Sequence, residues 1–525
     1  MILVCACLLF SACANEEIVV KDGVDEYMPE TVETETEMKI TNAAGITLFS
    51  WQVPTKEYAQ KYADEIKNCN FEYVEFCVLW NEIEPEQGVF KWNYLNTILD
   101  VFVGKGIRLS LSVLFWSERL DWKDVLDYQC TADGEVYRYD DTRGSFLSLN
   151  STSNLEIVVN TVKNFAAHCA DRYGDNIVSW AVRIDCFAKT EYSSLVDLDY
   201  SESAIQAFRE YIEAKYLAIE LFNYKFSTKY ASFDELFATD YETLTQRYQY
   251  DWKLFKQQTL INFSNIYTEI FKIADSRIPV VLHLSSFWDT SASFYRGVFD
   301  PYTVAKASNV DIIQVSDAAH WPHDFSVDLI KSLCDKYLFM ETDGSWQGED
   351  VYSEYLRQVA VSAQSGVDGV QTINWELGDM VEYGPMYLSK YSELLKNAEM
   401  RFEADLTDVI FVNTVDFLLK QPPQDMNDLY YYAYKNMTGL TGRKVRFISD
   451  TQILDDPTVL DGIKKIHLGE LAEIIHINDE VGRLFAERDI ILVDDRNAQP
   501  NFINEYGVPL DNDIQEKLRA KLKDS

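Results

Sequence analysis

The stretch Lys336-Tyr-Leu-Phe-Met-Glu341-Thr-Asp-Gly-Ser-Trp346 decides the fold class, because an apolar run ends in it abruptly at an acid. Four apolar residues in a row are typical of a strand that is buried on both faces, as in a parallel sheet. An acid at the C-terminal end of such a strand lies where parallel barrels place their chemistry. Asp and Glu make up 85 of the 525 residues, however, so an acid after a strand is weak evidence by itself. The rest of the chain has to support Glu341 as a candidate.

Seven further apolar runs of the same kind alternate with helical patterns. They cover residues 46–51, 72–80, 107–116, 177–185, 279–285, 311–317 and 369–375. Eight strands that alternate with helices predict an α/β fold, a closed (β/α)8 TIM barrel over residues 43–404. The long insertion between the fourth and fifth strands has helical spacing at residues 203–216 and 242–275 and no sign of a separate domain.

After the barrel, a second series of short apolar runs begins. The runs at residues 409–413, 445–449, 463–467 and 489–494 predict a small open α/β domain of flavodoxin-like character over residues 405–510. No glycine-rich loop follows its first strand, so we expect a packing or assembly domain rather than a nucleotide site. Residues 511–525 read as a charged, helical tail.

The N-terminal residues have the composition of a targeting segment. The apolar run in residues 1–12 is too short to span a bilayer and is followed at once by polar sequence, which is typical of a secretion signal. Leu9-Phe-Ser-Ala-Cys13 resembles a bacterial lipoprotein cleavage box, which implies a signal peptide over residues 1–13 and lipid on Cys13. Residues 14–42 are acidic and Thr-rich, as in a disordered tether. We therefore expect a secreted chain that is lipid-anchored to a bacterial membrane or cell surface.

Charge and composition exclude several classes of partner. The net charge of −38 argues against nucleic acid as a partner, because the protein and a nucleic acid are both negatively charged and repel each other. The nine cysteines form no CxxC pair, and those past residue 60 read as buried free thiols. Only six histidines are present and their spacing completes no ligand set, so no metal site is expected.

The second predicted strand ends in a recognisable motif. Trp80-Asn-Glu-Ile-Glu84-Pro85-Glu-Gln-Gly88-Val-Phe90 resembles the W-x-x-x-E-P-x-x-G-x-F pattern of the large clan of retaining barrel glycosidases, in particular the glycoside hydrolase family 42 β-galactosidases. The stretch that follows the fourth strand is also similar to that family, at Lys215, Tyr216, Glu220, Asn223, Phe226, Thr228, Tyr230 and residues 232–235. The small C-terminal domain is similar to the amidotransferase-like domain of the same family, which implies a homo-oligomer formed through it.

The resemblance implies retaining hydrolysis of a β-glycoside or oligosaccharide without metal or organic cofactor. That mechanism uses two carboxyl groups about 5 to 5.5 Å apart, one as nucleophile and one as acid/base. Glu341 matches the nucleophile position after the seventh strand. The family's Asn-Glu pair after the fourth strand is absent, and both Asp185 and Glu191 are candidates for the acid/base. Glu191 is favoured because the shorter Asp side chain limits the reach of a general acid.

Tryptophans recur at the predicted strand ends and could form a platform for the apolar face of a sugar. They are Trp51, Trp80, Trp116, Trp288, Trp321, Trp346 and Trp375. Trp116, Trp288, Trp346 and Trp375 are the candidates for substrate contact, and Trp375 matches the tryptophan that stacks on the reacting sugar in this clan. Arg183, Asn374 and Asp343 are further candidates for contacts to sugar hydroxyls.

Three interpretations remain open at this point. The first is a lipid-anchored retaining exo-glycosidase that acts on β-galactosides or a related β-linked sugar. The second is a catalytically inactive barrel that binds carbohydrate, and the third is an assembly protein with an inert barrel. The sequence does not decide which sugar is bound, because specificity depends on a few hydroxyl contacts.

Overall fold

The structure is a computed structural model. It describes residues 43–184, 189–192, 196–236, 248–287, 295–317, 322–343, 351–402, 406–419, 426–439, 443–469, 473–494 and 499–524. Asp185, Trp288, Trp321, Trp346 and Cys13, all named above, lie outside these ranges, and of Asp343 only the backbone is described.

The predicted barrel is confirmed. The first ten strands are β1 (Ala43–Phe49), β2 (Tyr73–Leu79), β3 (Arg108–Leu114), β4 (Arg138–Asp140), β5 (Gly144–Ser145), β6 (Ile177–Val182), β7 (Val280–Leu284), β8 (Ile312–Asp317), β9 (Tyr337–Asp343) and β10 (Gly369–Ile373). All but the antiparallel hairpin β4–β5 close into a parallel barrel in the order β1-β10-β9-β8-β7-β6-β3-β2. The carboxyl ends of these eight strands therefore surround one mouth.

Helices cover the outside of the barrel and fill the insertion. They are Lys56–Asn68, Trp80–Ile83, Asn93–Gly104, Thr152–Tyr173, Glu202–Tyr216, Ile219–Phe226, Gln249–Ala274, Pro301–Ala307, His323–Leu333, Val351–Ser365, Leu377–Tyr383 and Tyr391–Asn397. Several begin at a residue of the N-cap type: the side chains of Thr55, Ser151 and Ser201 each accept a hydrogen bond from the backbone amide three residues on. None of the described helices is long and apolar enough to cross a membrane.

The interior of the barrel is layered, because alternate residues of each strand point inward. The bottom layer is apolar and consists of Ala43, Tyr73, Val178, Val281, Ile312 and Phe339. Gly45 makes room for it: a Cβ there would lie 2.2 Å from the ring of Tyr73 and 2.3 Å from Oε1 of Gln371. Two residues further along several of these strands the interior turns polar, and this second layer lies directly below the mouth.

The C-terminal domain is a small open α/β domain, as predicted. The strands are β11 (Asp408–Val412), β12 (Arg446–Ser449), β13 (Lys465–His467), β14 (Ile474–His476), β15 (Ile491–Asp494), β16 (Asn501–Ile503) and β17 (Leu522–Asp524). The main sheet has the order β12-β11-β13-β15-β17, and β14 pairs with β16. The helices are Thr414–Leu419, Met426–Thr438, Asp450–Asp455, Asp479–Glu487 and Asn512–Lys521.

The residues expected to be a charged tail are part of this domain. The helix Asn512–Lys521 is present as predicted, and β17 then pairs in parallel with β15, with Leu492 opposite Leu522. Leu518, on that helix, is fully buried in the domain core. A strand of three residues is too short to show an alternating pattern, which is why the sequence did not reveal it.

The barrel and the small domain meet at two buried acids. Asp450 begins the helix Asp450–Asp455, and its carboxylate accepts hydrogen bonds from the hydroxyl of Thr414 at 2.8 Å and the amide of Thr451 at 2.9 Å. Asp300 caps the helix Pro301–Ala307 of the barrel, and each of the two acids is 1% exposed. Burial, and then the charge of Asp300, raise the pKa of Asp450 to about 7.

Candidate active site

Glu341 lies on β9 inside the barrel, opposite Ser316 of β8 and Gln371 of β10. It is two residues beyond Phe339, which belongs to the apolar bottom layer, so its side chain points inward at the next level. The residue is 1% exposed. The apolar run that ends in an acid has therefore placed a carboxylate in the polar layer below the mouth.

Both oxygens of the Glu341 carboxylate have partners. Lys189 forms an ion pair with Oε1, and the side-chain amide of Gln314 donates to Oε2 at 3.3 Å. Burial alone would raise the pKa of Glu341, but the charges of Lys189 and Arg183 hold it below its ordinary value. Glu341 is therefore ionised at neutral pH, as a nucleophile must be.

A second ion pair lies beside the first. The Nε and Nη2 atoms of Arg183 lie 2.9 and 2.8 Å from Oε1 of Glu75, and the Arg183 side chain is 0% exposed. Burial would raise the pKa of Glu75, and Arg183 followed by His283 lowers it far below the ordinary range instead. Arg183, proposed from sequence as a hydroxyl contact, thus lies in the barrel interior against an acid.

His283 of β7 connects the two ion pairs. Its Nε2 lies 3.4 Å from Oε1 of Glu75 and its Nδ1 lies 3.9 Å from Oε2 of Glu341. Burial, and then the nearby Arg183, lower the pKa of this imidazole, so it is neutral at neutral pH. Two carboxylates therefore face two cations and a neutral ring, and the charge of this interior group is balanced.

Glu191 is held at the mouth by residues that follow β7. The hydroxyl of Ser285 donates to Oε2 of Glu191, and Nε of Arg296 lies 3.3 Å from the same oxygen. Glu191 is 3% exposed. The chain around it is fixed as well, because the amide of Thr190 donates to the carbonyl of His283 at 2.8 Å and the amide of Tyr192 to the carbonyl of Arg296 at 2.9 Å.

These contacts bring Glu191 and Glu341 to the same side of the mouth. His283 contacts Glu341 and Ser285, two residues later, contacts Glu191. Ser285 directly follows β7, so its side chain and that of His283 leave the chain on the same face. Lys189 makes the same connection from the loop, since it pairs with Glu341 and lies two residues before Glu191. The two predicted acids are thus held at one mouth by residues of the same two segments.

The aromatic candidates are arranged differently from an open platform. Trp375 is 2% exposed, and its ring packs edge-on against Tyr355 with 5.1 Å between the ring centres. Trp116 is 6% exposed and stacks on Trp51 at 4.8 Å. Asn374 is half-buried and adopts a positive φ of 64° directly after β10. A positive φ is tolerated by Asn better than by most residues, so it turns the chain at the rim.

The motif at the end of β2 has a structural explanation. Glu84 is 1% exposed and accepts hydrogen bonds from the indole of Trp80 at 2.8 Å and from the amide of Gly88 at 2.7 Å. Gly88 itself has a φ of 75°, which favours glycine. The spacing of this motif therefore folds the loop that follows β2, and Glu84 serves that loop through its hydrogen bonds.

Sequence reasoning missed most of the partners of the two acids. Lys189, Glu75, His283, Gln314 and Ser285 complete the site and were not among its predicted residues. The available signal was a polar residue inside an otherwise apolar strand, as Glu75 and His283 are. Such a residue in a buried strand needs a polar partner, and the interior of a barrel provides one. Among the described residues, no group of His, Cys, Asp and Glu has the arrangement of a metal site.

The family model described as the glycoside hydrolase family 42 β-galactosidase matches residues 129–376, which include Glu191, Glu341 and Trp375. Over these residues the chain is similar to glycoside hydrolase family 42. A β-galactosidase of Arthrobacter sp. is 22% identical over 316 residues, which are 56% of this chain and 44% of that protein. The alignment thus spans less than half of the curated relative's length.

Solved structures share the fold at low sequence identity. The β-galactosidase of Bacillus circulans sp. alkalophilus superposes with a TM-score of 0.67 at 14% identity, covering 90% of this chain and 73% of that one. The β-galactosidase of Rahnella sp. R3 gives a TM-score of 0.67 at 15% identity, covering 92% of this chain and 75% of that one. The barrel and the small domain that follows it thus occur together in other proteins.

Proposed function

We propose that this family 42-like protein is a retaining β-glycosidase of the β-galactosidase type. The observation that carries the proposal is the ionised Glu341 on β9, which contacts His283, together with Glu191, which Ser285 holds at the same mouth. In a retaining reaction Glu341 attacks the anomeric carbon while Glu191 protonates the departing oxygen, and Glu191 then activates the water that releases the sugar. The neutral His283 and the amide of Gln314 support the Glu341 carboxylate from below.

Lys189 sets a condition on this reaction. Its ammonium group pairs with Oε1 of Glu341, and Gln314 donates to the other oxygen. A sugar that reaches Oε1 has to displace Lys189, and the loop that carries Lys189 also carries Glu191. Substrate binding would thus release the nucleophile and position the acid in one movement of the same loop.

The same ion pair favours a second candidate function, a barrel that binds carbohydrate without cleaving it. A carboxylate that stays paired with Lys189 is a weak nucleophile, and Ile184 stands where the family has the Asn of its Asn-Glu pair. In this alternative Lys189 and Glu341 are a permanent structural pair, and the mouth binds the sugar only.

A panel of aryl β-glycosides, assayed with the wild type and Glu341→Gln, separates the two. Turnover by the wild type that falls by several orders of magnitude in Glu341→Gln supports the glycosidase. A 2-deoxy-2-fluoro glycoside should leave one sugar attached to the wild type at Glu341, measured by peptide mass spectrometry. Binding of oligosaccharide without turnover of any glycoside, in protein that is folded by circular dichroism, would establish the non-catalytic barrel.

We propose in addition that Cys13 carries lipid and tethers the enzyme to a bacterial membrane. The support is the sequence Leu9-Phe-Ser-Ala-Cys13 followed by acidic residues. Expression of the full chain in a bacterial host should place it in the membrane fraction with a lipidated N-terminal peptide, and Cys13→Ser should release it. A soluble protein with an unmodified Cys13 would refute the anchor.

We also propose that the C-terminal domain mediates a homo-oligomer. The support is the likeness of this domain to the one that follows the barrel in the family. Light scattering of the purified chain measures its mass in solution, and a monomer at micromolar concentration would refute the proposal.

A further inference from the structure

Two lysines are buried on the helix Gln249–Ala274 of the insertion. Lys253 and Lys256 are each 1% exposed, and because they are three residues apart they leave the helix on the same side. Their ammonium groups both pair with Oδ1 of Asp197, each at 2.7 Å. A buried ammonium group needs a counter-charge, and the Asp197 carboxylate supplies it to both.

Asp197 needs only one of these two lysines. The hydroxyl of Tyr200 donates to its other oxygen, Oδ2, at 2.9 Å, so Lys253 and Tyr200 alone would give each carboxylate oxygen a partner. Burial, and the neighbouring charge of Lys256, lower the pKa of Lys253 to about 8. The second lysine is thus unfavourable for the first, and its presence has to be explained by its other contacts.

Lys256 contacts both of the segments that hold Glu191. Its ammonium group lies 4.5 Å from the ring centre of Tyr192, the residue directly after Glu191. It also donates to the carbonyl of Tyr295 at 3.4 Å. The next residue is Arg296, whose guanidinium group pairs with Glu191. Lys256 therefore joins the segment that carries the acid to the segment that contacts its carboxylate.

The same two segments are packed closely around the ring of Tyr192. Tyr192 is 1% exposed, and its amide donates to the carbonyl of Arg296 at 2.9 Å. A Cβ on Gly297 would lie 3.0 Å from Cδ2 of Tyr192, and Gly297 has a φ of 84°. Both the close approach and the positive φ favour glycine at this position. The ring is thus enclosed, and the ammonium group of Lys256 is part of what encloses it.

We propose that Lys256 is a positioning residue for Glu191. The lysine acts through the ring of Tyr192 and the carbonyl of Tyr295, so it fixes the chain around the acid from two segments. A general acid has to lie within hydrogen-bond reach of the oxygen that it protonates, and a displacement of about 1 Å can cost about a hundredfold in rate. This proposal rests on the proposed function, in which Glu191 protonates the departing oxygen.

The test compares two β-galactosides with the wild type and with Lys256→Met, and it uses kcat/KM because this constant reports the first step. An activated dinitrophenyl group departs without protonation, whereas the leaving sugar of an unactivated disaccharide depends on the general acid. The variant should lose about tenfold or more in kcat/KM on the disaccharide and less than about threefold on the dinitrophenyl galactoside. A merely structural role of Lys256 would lower both constants by the same factor, and that result would overturn the proposal.

Lys253→Met is the matched control, because Lys253 lies on the same helix, is equally buried and pairs with the same oxygen of Asp197. Lys253 also lies 5.6 Å from the ring centre of Tyr295, so the two variants differ in the contacts of Lys256 with the Tyr192 ring and the Tyr295 carbonyl. The control should keep the wild-type ratio of the two constants. An equal change of this ratio in both variants would show that only the pairing of Asp197 matters, and it would overturn the proposal.

Hydrogen exchange tests the position of the Glu191 segment without any reaction. The amides of Thr190 and Tyr192 donate to backbone carbonyls, so their exchange reports how firmly this segment is held. Peptides that contain them should exchange faster in Lys256→Met than in the wild type and in Lys253→Met, and unchanged exchange in folded protein would overturn the proposal. If Lys256→Met does not fold by circular dichroism, Lys256→Gln takes its place with the same expected results. If the wild type cleaves neither galactoside, the proposed function fails, and the exchange still decides whether Lys256 holds the segment.

Discussion

Asp450 should make the protein less stable as the pH rises from about 4 to about 7. The carboxyl group is buried between the barrel and the small domain, and its pKa is raised from 3.8 to about 7 by burial and by Asp300. In the unfolded chain Asp450 ionises near its ordinary pKa, whereas in the folded chain it stays protonated until about pH 7. The folded state thus binds the extra proton in this window, and the associated stability is present below pH 4 and lost as the pH rises through 7.

The size of the effect follows from the shift. A difference of about three pKa units at about 1.4 kcal/mol per unit corresponds to roughly 4 kcal/mol, as an upper value for a coupled pair of acids. Asp450→Asn removes the titration and keeps an oxygen that can accept the hydrogen bonds of Thr414 and Thr451. The variant should therefore gain stability relative to the wild type between pH 4.5 and pH 8.

Urea unfolding of both proteins at several pH values measures this difference, and comparison at equal pH cancels the titration of groups that do not interact with Asp450. Asp455→Asn is the control on the same helix, because Asp455 is a largely exposed acid whose pKa is lowered by its hydrogen bonds to Lys306 and Tyr302. It should lose a little stability or none. Parallel pH profiles for the wild type and Asp450→Asn would refute the reasoning.

Three further perturbations test the site. Glu191→Ala should nearly abolish cleavage of an unactivated disaccharide yet keep much of the first step on a dinitrophenyl glycoside. Azide should restore turnover of that glycoside, with a β-glycosyl azide as product. Cleavage of the disaccharide by the variant at the wild-type rate would contradict the assignment. Arg183→Met should cost roughly 3 to 5 kcal/mol of stability in urea unfolding, since it leaves the buried Glu75 without its guanidinium partner. The double variant with Glu75→Gln should recover part of the loss. Burial raises the pKa of the Cys77 thiol to about 12, so this thiol should react with a disulfide reagent only on unfolding. Fast labelling of Cys77 in the native protein would show that the barrel interior is open.

The barrel and the position of Glu341 followed from the sequence because both depend on local pattern. An apolar run of strand length ends in an acid, and the closure of eight such units fixes where that acid lies. Glu191 was favoured over Asp185 because its side chain is longer, and its hydrogen bond from Ser285 now fixes where it lies. These features need no knowledge of which loops meet in space.

The partners of the acids could not be read in the same way. Lys189 reaches Glu341 across 152 residues of sequence, and its loop position shows no periodicity. The tryptophans at strand ends look alike in sequence, yet Trp80, Trp116 and Trp375 are buried whereas Trp51 is 40% exposed. The position of the β4–β5 hairpin depends on the approach of Gly144 to residue 118, which is a tertiary contact. Prediction failed where the feature depends on contacts between distant segments.

The closure of the barrel has a consequence for how the chain is made. Strand β1 has one edge on β2, which follows soon after it, and the other on β10, where Gly45 faces Gln371. A ribosome adds about 5 to 20 residues per second, so the roughly 330 residues between Gly45 and Gln371 take about 15 to 65 seconds to synthesise. For that time the open edge of β1 can pair with another nascent chain. Slower translation of the insertion should therefore lower the yield of soluble protein, and a chaperone that covers this edge should restore it.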